Sequence, residues 1–323
     1  MNLGKVIFID SVHEILWKRL TNYNWICEDH TKSNSETILK NLRDYNGIVI
    51  RSRFNLNNDI LATLPNLQFI ARAGSGLENI DVEYCKQNKI QVFNSPEGNR
   101  DALAEHTLGM LLMLQNNLKH ADAEVRKGIW KRTQNRGYEL KGKTIGLIGY
   151  GIMGKAFAQR LKGFDVNIIA FDKYKKKYSD NLTKAVSKKT LLKESDIISV
   201  HTNYLPQNKY LINDLFIKNV EKPFILINTA RGFNVNTSDL VRGLKTNKIL
   251  GACLDVLEYE STSFESISQS ETCEDLEYLK NSPNVILSPH IAGWSHESYF
   301  KLSNVLAEKI EEWVNFEGLR NEI

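Results

Sequence analysis

"GKTIGLIGYGIMGKAFAQRLKGF", residues 142–164, is the stretch around which the rest of the chain organises itself. An apolar run over 143–149 reads as a buried strand. Gly149, Gly151 and Gly154 then form G-x-G-x-x-G at the start of a helical pattern. Each glycine has a separate physical use. The first makes a tight turn, the second lets a pyrophosphate approach the backbone, and the third allows close helix–strand packing while the helix N-terminus stabilises the anion. Alone the motif is weak, because glycine-rich turns also serve packing. Here the next apolar run ends in Asp172, 18 residues beyond Gly154, where an acid can take the ribose hydroxyls. Strand, glycines, helix, strand and acid in this order predict a dinucleotide site. Asp172 disfavours a 2′-phosphate, which selects NAD over NADP. The lysines of "KYKKKY" (173–178) read as a solvated loop, although Lys173 would soften that discrimination.

Outward from this unit, short β-branched runs alternate with longer helical patterns, the signature of βα units and a parallel sheet. Before it, strands are expected at 5–10, 47–52, 67–74 and 90–94, with helical segments such as 11–22 and 34–44 between them. After it come runs at 166–172, 196–202, 224–230, 250–256 and 284–290. Each is nearly continuous in hydrophobicity, as strands covered on both faces should be. Residues 99–128 form a proline-free helical pattern, with Leu103, Leu108, Leu111, Leu112 and Leu118 on one side, that would join two sheets. A last helix, 297–316, is a natural return to the first sheet. The expected organisation is a split first domain, 1–98 with 296–323, and a second domain over 99–295.

Composition agrees with this class. The 323 residues suggest about two domains, and 42% hydrophobic with 25% charged residues is ordinary for a globular chain. A net charge of +4 is too mild to argue for nucleic acid or membrane, yet does not repel an anionic substrate. Cys27, Cys85, Cys253 and Cys273 form no CxxC pair and no zinc spacing, so neither a metal site nor a disulfide framework is expected, and the cytoplasm is the expected compartment. The N-terminus enters a strand at once, so no signal peptide is expected. The longest apolar stretch, 108–114, is too short to span a bilayer.

Ligands of open parallel sheets sit outside the carboxyl ends of the strands. Three such ends carry chemistry: Arg231 after "LINTA", Glu260 after "ACLDVLEY", and His290 ending "VILSPH". Reduction of a 2-keto acid needs a proton donor for the developing alkoxide, and histidine donates near neutral pH. A carboxylate beside a histidine favours the imidazolium and orients the ring. A guanidinium can hold a substrate carboxylate by a paired hydrogen-bond fork and polarise the carbonyl. Each residue has a blander reading: Arg231 a solvated strand end, Glu260 surface charge, His290 a structural histidine. His201 also ends a strand and is given the structural role. The remaining histidines, His106 among them, lie in helices or loops without an evident partner.

The segments "RAGSGLENID", "NSPEGNRDALAEHTLGMLL", "LKGKTIGLIGYGIMGKAFAQRLKGF", "NTARG", "GACLDVLEYE" and "SPHIAGW" stand in order over nearly the whole length. With them the chain resembles the D-isomer-specific 2-hydroxyacid dehydrogenases. The resemblance implies an α/β fold of two Rossmann-like parallel-sheet domains, a flavodoxin-like substrate domain and an NAD-binding domain, with a cleft between them. It implies a homodimer, or a dimer of dimers, formed mainly by the central domains. It assigns Arg231 to the substrate carboxylate and carbonyl, His290 to acid/base work and Glu260 to pairing with His290. Asp255 matches the acid near the nicotinamide amide. Ile152 and Met153 sit at the pyrophosphate loop, and Thr202, Thr229, Ala230 and Gly293 match further cofactor contacts. Ser75 and Gly76 match the loop that hydrogen-bonds the substrate carboxylate. Two departures stand out: Asn203 replaces a usual proline, and the polar, acidic segment 261–282 lacks the proline that commonly follows the catalytic glutamate. That segment reads as a surface loop, and Glu258, two residues from Glu260, competes for its role.

Arginines in the first domain bear on the substrate. Arg51 and Arg53 stand at a strand end and Arg72 precedes the carboxylate-binding loop, while Arg132 lies ahead of the central domain's first strand. This resembles the phosphoglycerate-specific members of the family, in which matching arginines, one from the partner subunit, bind the substrate phosphate. Several charged donors can chelate its oxygens. The expected reaction is then NAD-linked interconversion of 3-phospho-D-glycerate and 3-phosphohydroxypyruvate, without the C-terminal regulatory domain of longer relatives. The alternatives are a reductase of glyoxylate, hydroxypyruvate or another 2-keto acid, and, from a different class, an NAD(H)-responsive binding protein like the family's corepressors.

Overall fold

The computed structural model describes residues 3–260 and 274–321. The chain divides into two compact units, Met1–Asn99 with Trp294–Ile323, and Arg100–Gly293.

The first unit holds five parallel strands, β1 (Gly4–Phe8), β2 (Trp25–Asp29), β3 (Gly47–Ile50), β4 (Phe69–Arg72) and β5 (Gln91–Asn94), in the order β2-β1-β3-β4-β5. That is the flavodoxin-like order. Apolar side chains cover both faces: Ile7, Ile48 and Ile70 on one, Val6, Val49 and Phe69 on the other. The last helix, His296–Asn321, closes the second face with Leu306, Ala307 and Ile310. It also lies hard against the start of the helix Pro96–Gln115, since a Cβ on Gly98 would fall 2.6 Å from the Leu302 nitrogen. β2 was not foreseen. It is an edge strand with Trp25 buried and Ile26 exposed, so it lacks the unbroken hydrophobicity of interior strands.

The second unit holds seven parallel strands, β6 (Thr144–Ile148), β7 (Asn167–Phe171), β8 (Lys184–Ala185), β9 (Ile197–Val200), β10 (Phe224–Asn228), β11 (Ile249–Leu254) and β12 (Val285–Leu287). Their order, β12-β11-β10-β9-β6-β7-β8, is the dinucleotide-binding arrangement with one strand added. The switch point lies between β6 and β9, so the glycine loop after β6 and the end of β9 are neighbours. Both faces are again apolar, for example Ile198, Leu226 and Leu254 on one and Leu147, Ile227 and Cys253 on the other.

Two expectations are corrected. The single helix over 99–128 is two, Pro96–Gln115 and Leu118–Arg126, because Asn117 takes a left-handed conformation (φ 52°) that no α-helix continues through. Within 261–282, the expected loop contains the helix Glu274–Asn281, which buries Leu276 and Leu279; 261–273 lies outside the described residues. Among the described residues no helix is long and apolar enough to cross a membrane.

Candidate active site

Three glycines of the loop after β6 differ in what surrounds them. Gly149 has φ +93°, and a Cβ there would lie 2.7 Å from the His201 carbonyl at the end of β9. A Cβ on Gly154 would lie 2.4 Å from the Gly149 carbonyl, so this glycine lets the helix Ile152–Arg160 pack on its own loop. Around Gly151 a Cβ would meet no protein atom within 4 Å. Packing therefore does not require glycine at 151, whereas an anion approaching the loop backbone does. The residues fit a pyrophosphate, with Ile152 and Met153 opening the helix behind it.

Asp172 is held against this loop. Its carboxylate accepts the backbone N–H of Tyr150 at 2.9 Å, of Tyr174 at 3.0 Å and of Lys175 at 3.1 Å. Partial burial would raise its pKa, but those three donors and the Lys175 charge outweigh burial and hold the acid below the usual carboxylate range. Lys175 Nζ reaches the Tyr150 carbonyl at 2.9 Å. The lysine beside the acid is thus Lys175 rather than Lys173, whose ammonium lies over the Tyr174 ring.

His201 keeps the structural role. Its Nε2 meets Ser199 Oγ at 2.9 Å and its ring stacks near Phe157 at 5.6 Å. Burial pushes its pKa from 6.5 down to about 4. A depressed histidine stabilises the fold above pH 6.5 and gives that stability up as pH falls towards 4, because the unfolded chain then binds the proton more tightly. The shift corresponds to about 3 kcal/mol at most, a ceiling since the residue keeps some surface. Urea unfolding of the wild type and of His201→Asn at pH 7 and pH 4.5 is expected to show a smaller acid loss in the variant, by about 2 kcal/mol. Equal losses would remove His201 as the cause.

At the ends of β10, β11 and β12 the expected trio appears. Asn228 closes β10, Thr229 and Ala230 follow, and Arg231 stands in extended backbone with its Nη1 on the Ala230 carbonyl at 2.7 Å. A Cβ on Gly232 would fall 2.0 Å from the Leu257 carbonyl, so only glycine lets the Arg231 turn lie against the loop that carries Glu260. His290 Nδ1 and Glu260 Oε2 are 2.7 Å apart, with the side chains 23% and 15% exposed. Glu260 is itself anchored through Oε1 on the Leu257 N–H at 2.5 Å. Glu258 points elsewhere, accepting the Thr237 N–H at 2.8 Å. The pairing thus falls to Glu260. With Nδ1–H given to the glutamate, a proton exchanged with a substrate would pass through Nε2.

Asp255, 2% exposed, grips the segment around His290. Its carboxylate accepts Ser288 Oγ–H at 2.6 Å and the N–H groups of Ile291 and Ala292 at 2.9 and 2.8 Å, and its carbonyl takes the His290 N–H at 2.8 Å. Thr229 Oγ1 pairs with Thr107 Oγ1 at 3.1 Å, and Thr202 Oγ1 accepts from Asn234 at 2.9 Å, both near strand ends. Gly293 closes the unit. Arg132 is exposed on the segment after the helix Leu118–Arg126.

In the first unit the arginines part company. Arg53, expected to bind substrate, has part of its guanidinium committed within the unit: it donates to the carbonyls of Ile9 (3.1 Å), Thr31 (2.9 Å), His30 and Ser33. Donors spent on four carbonyls are not available to a phosphate. Arg51 instead lies over the exposed Trp294 ring, 4.2 Å from its centroid, a contact the sequence did not suggest. Arg72, nearly buried, bonds the Arg51 carbonyl at 3.2 Å and covers Gly74, where a Cβ would collide with its guanidinium. Ser75 Oγ donates to Asn99 Oδ1 at 2.6 Å, and Gly76 follows in the same loop.

Residues 108–292 match the family model described as D-isomer specific 2-hydroxyacid dehydrogenase, NAD binding domain. The chain is 32% identical to a D-3-phosphoglycerate dehydrogenase of Archaeoglobus fulgidus over 92% of its own length, and spans only 54% of that relative. It is 34% identical to a hydroxypyruvate reductase of Thermotoga maritima, over 85% of this chain and 87% of the relative. Among solved structures, D-lactate dehydrogenase from Aquifex aeolicus, complexed with NAD and lactic acid, superposes with a TM-score of 0.80 at 26% identity, covering 96% of this chain and 95% of that one.

Proposed function

Since the chain belongs to the D-isomer specific 2-hydroxyacid dehydrogenase family, with an NAD-binding domain over 108–292, we propose that it interconverts 3-phospho-D-glycerate and 3-phosphohydroxypyruvate. The observation that carries the chemistry is the Glu260–His290 pair at 2.7 Å beside the Arg231 turn. NADH, when bound, supplies the hydride. Arg231 holds the carboxylate of the keto acid and draws charge from its carbonyl. His290, as imidazolium, delivers the Nε2 proton to the oxygen that becomes the hydroxyl, and takes it back in the oxidative direction. Glu260 fixes the ring and balances its charge. Gly149, Gly151, Gly154 and Asp172 hold the dinucleotide, and Arg51 is the phosphate contact that the likeness to phosphoglycerate-specific relatives suggests. The same reading makes the protein a cytoplasmic homodimer through the second unit. Support for that assembly comes from the exposed apolar side chains of Leu118, Val125, Trp130 and Tyr138, which flank the exposed Arg132 in the sequence.

One observation favours an unphosphorylated substrate such as hydroxypyruvate: Arg53 is engaged by carbonyls, which leaves fewer donors for a phosphate. Steady-state NADH oxidation with 3-phosphohydroxypyruvate, hydroxypyruvate, glyoxylate and pyruvate separates the two. The phosphorylated acid is expected to have the highest kcat/KM, and Arg51→Ala to lower it by about 30-fold or more, the loss of a charged hydrogen bond. Arg53→Ala is expected to destabilise the fold instead. Equal rates with hydroxypyruvate, unaffected by Arg51→Ala, would give the substrate to the second reading.

A further inference from the structure

His106 has no place in the chemistry above, yet it is tied to the segment that carries His290. From the helix Pro96–Gln115 its Nε2 meets Ser288 Oγ at 2.9 Å, and Ser288 Oγ meets Asp255 Oδ1 at 2.6 Å; the ring nitrogen and that carboxylate oxygen are 3.7 Å apart. A serine hydroxyl has one hydrogen. The carboxylate can only accept, so the hydroxyl donates to Asp255 and His106 must donate into the serine oxygen. That fixes the tautomer of His106 with its proton on Nε2. The imidazolium carries the same proton, so the chain His106→Ser288→Asp255 has one direction in either charge state.

The far end of this chain is His290. Its backbone is left-handed, φ 55°, a conformation that costs a non-glycine residue about 1 kcal/mol and persists only where its surroundings over-determine it. Asp255 supplies that constraint on both sides, through its carbonyl to the His290 N–H and its carboxylate to the N–H groups of Ile291 and Ala292. Ser288 braces the same carboxylate oxygen that takes the Ile291 N–H. Without the donor from His106 the serine oxygen loses one of the partners that fix it, and its hydroxyl, which also lies 3.6 Å from Met110 Sδ, is held less firmly on the carboxylate that aims His290.

We propose that His106 is a positioning residue, acting through Ser288 and Asp255 to hold His290 in its proton-transferring geometry. The inference rests on His290 being the acid/base of the proposed reaction. Misplacement of a catalytic group by a fraction of an ångström slows the chemical step more than it weakens binding. His106→Leu is therefore expected to lower kcat about tenfold, with KM for the keto acid and for NADH within about twofold. His106→Gln, whose carboxamide N–H can donate to Ser288, is expected to recover most of the loss. In a double-mutant cycle, His106→Leu added to Ser288→Ala should cost little more than Ser288→Ala alone, because both break one chain.

A second readout does not depend on turnover. The His290 Nδ1 proton, shared with Glu260, should give a downfield proton resonance, identified by its loss in His290→Ala. That resonance is expected to shift or broaden in His106→Leu and to return in His106→Gln. An unchanged resonance and an unchanged kcat in His106→Leu would overturn the proposal, as would equal losses in the Leu and Gln variants. Absence of turnover in the wild type, with the resonance moving as expected, would instead count against the proposed reaction and leave the coupling standing.

Discussion

Arg231→Ala is expected to lower kcat/KM for 2-keto acid reduction by about 10³-fold while NADH affinity changes little. The guanidinium stands after β10 in extended backbone, held by its own Ala230 carbonyl contact and by the close approach of Gly232 to Leu257. A fork of two charged donors on a carboxylate, with further stabilisation of the developing alkoxide, is worth about 4 kcal/mol in a water-poor site, which sets the size of the loss. Arg231→Lys should recover only a part, because an ammonium keeps the charge and lacks the planar fork. His290→Ala is expected to remove a proton-transfer contribution of about 10²–10⁴ from kcat, again with NADH still bound. Glu260→Gln leaves an acceptor for Nδ1–H but no charge, so its loss should be smaller than that of His290→Ala. Steady-state rates paired with NADH fluorescence titration check the set. Turnover retained in both alanine variants would end the catalytic assignment. NADH binding without turnover in the wild type itself would move the protein to the NAD(H)-responsive binding class.

What could be read ahead of the structure followed physical visibility. Interior strands such as β6, β9 and β10 are sealed on both faces, so their residues must be apolar almost without interruption, and the sequence displays them directly. β2 and β8 are edges, one half exposed and one only two residues long, and neither has to look like a strand. Asn117 ends a helix through a backbone angle that its neighbours' hydrophobic pattern does not record. Among the proposed site residues, the glycines and Asp172 stand out in the sequence because their spacing is set by one local βαβ unit. In the sequence Glu258 competes with the chosen Glu260, and only the Thr237 N–H and the His290 ring distinguish them. Arg51 and Arg53 look alike in "IRSRF", and only the folded chain sends one to Trp294 and the other to carbonyls. His106 seemed bland because its partner, Ser288, lies 182 residues away.

Gly151→Ala makes the sharpest distinction between a glycine kept for ligand and one kept for fold. Its backbone, φ −87° and ψ −153°, suits an L-residue, and the added methyl would touch no protein atom within 4 Å. Stability is therefore expected to change by no more than about 0.5 kcal/mol, the range of a substitution that disturbs no contact. NADH affinity should nonetheless fall about 10²-fold, since the methyl stands where a pyrophosphate must meet the backbone and the helix N-terminus. Gly154→Ala reverses the pattern. Its methyl would press on the Gly149 carbonyl at 2.4 Å, and backbone cannot swing aside as a side chain can. The second unit should lose about 1–3 kcal/mol, as overpacked sites do, and NADH affinity should fall because the loop itself has moved. Thermal unfolding of each variant, with and without NADH at about ten times the wild-type Kd, reads both quantities at once: ligand raises the midpoint through RT ln(1 + [NADH]/Kd). For Gly151→Ala the apo midpoint should match the wild type and the NADH-induced rise should vanish. A preserved rise would mean that the open space at Gly151 does not face the pyrophosphate, and the dinucleotide would then have to be held by Asp172 and the strand ends without the glycine loop.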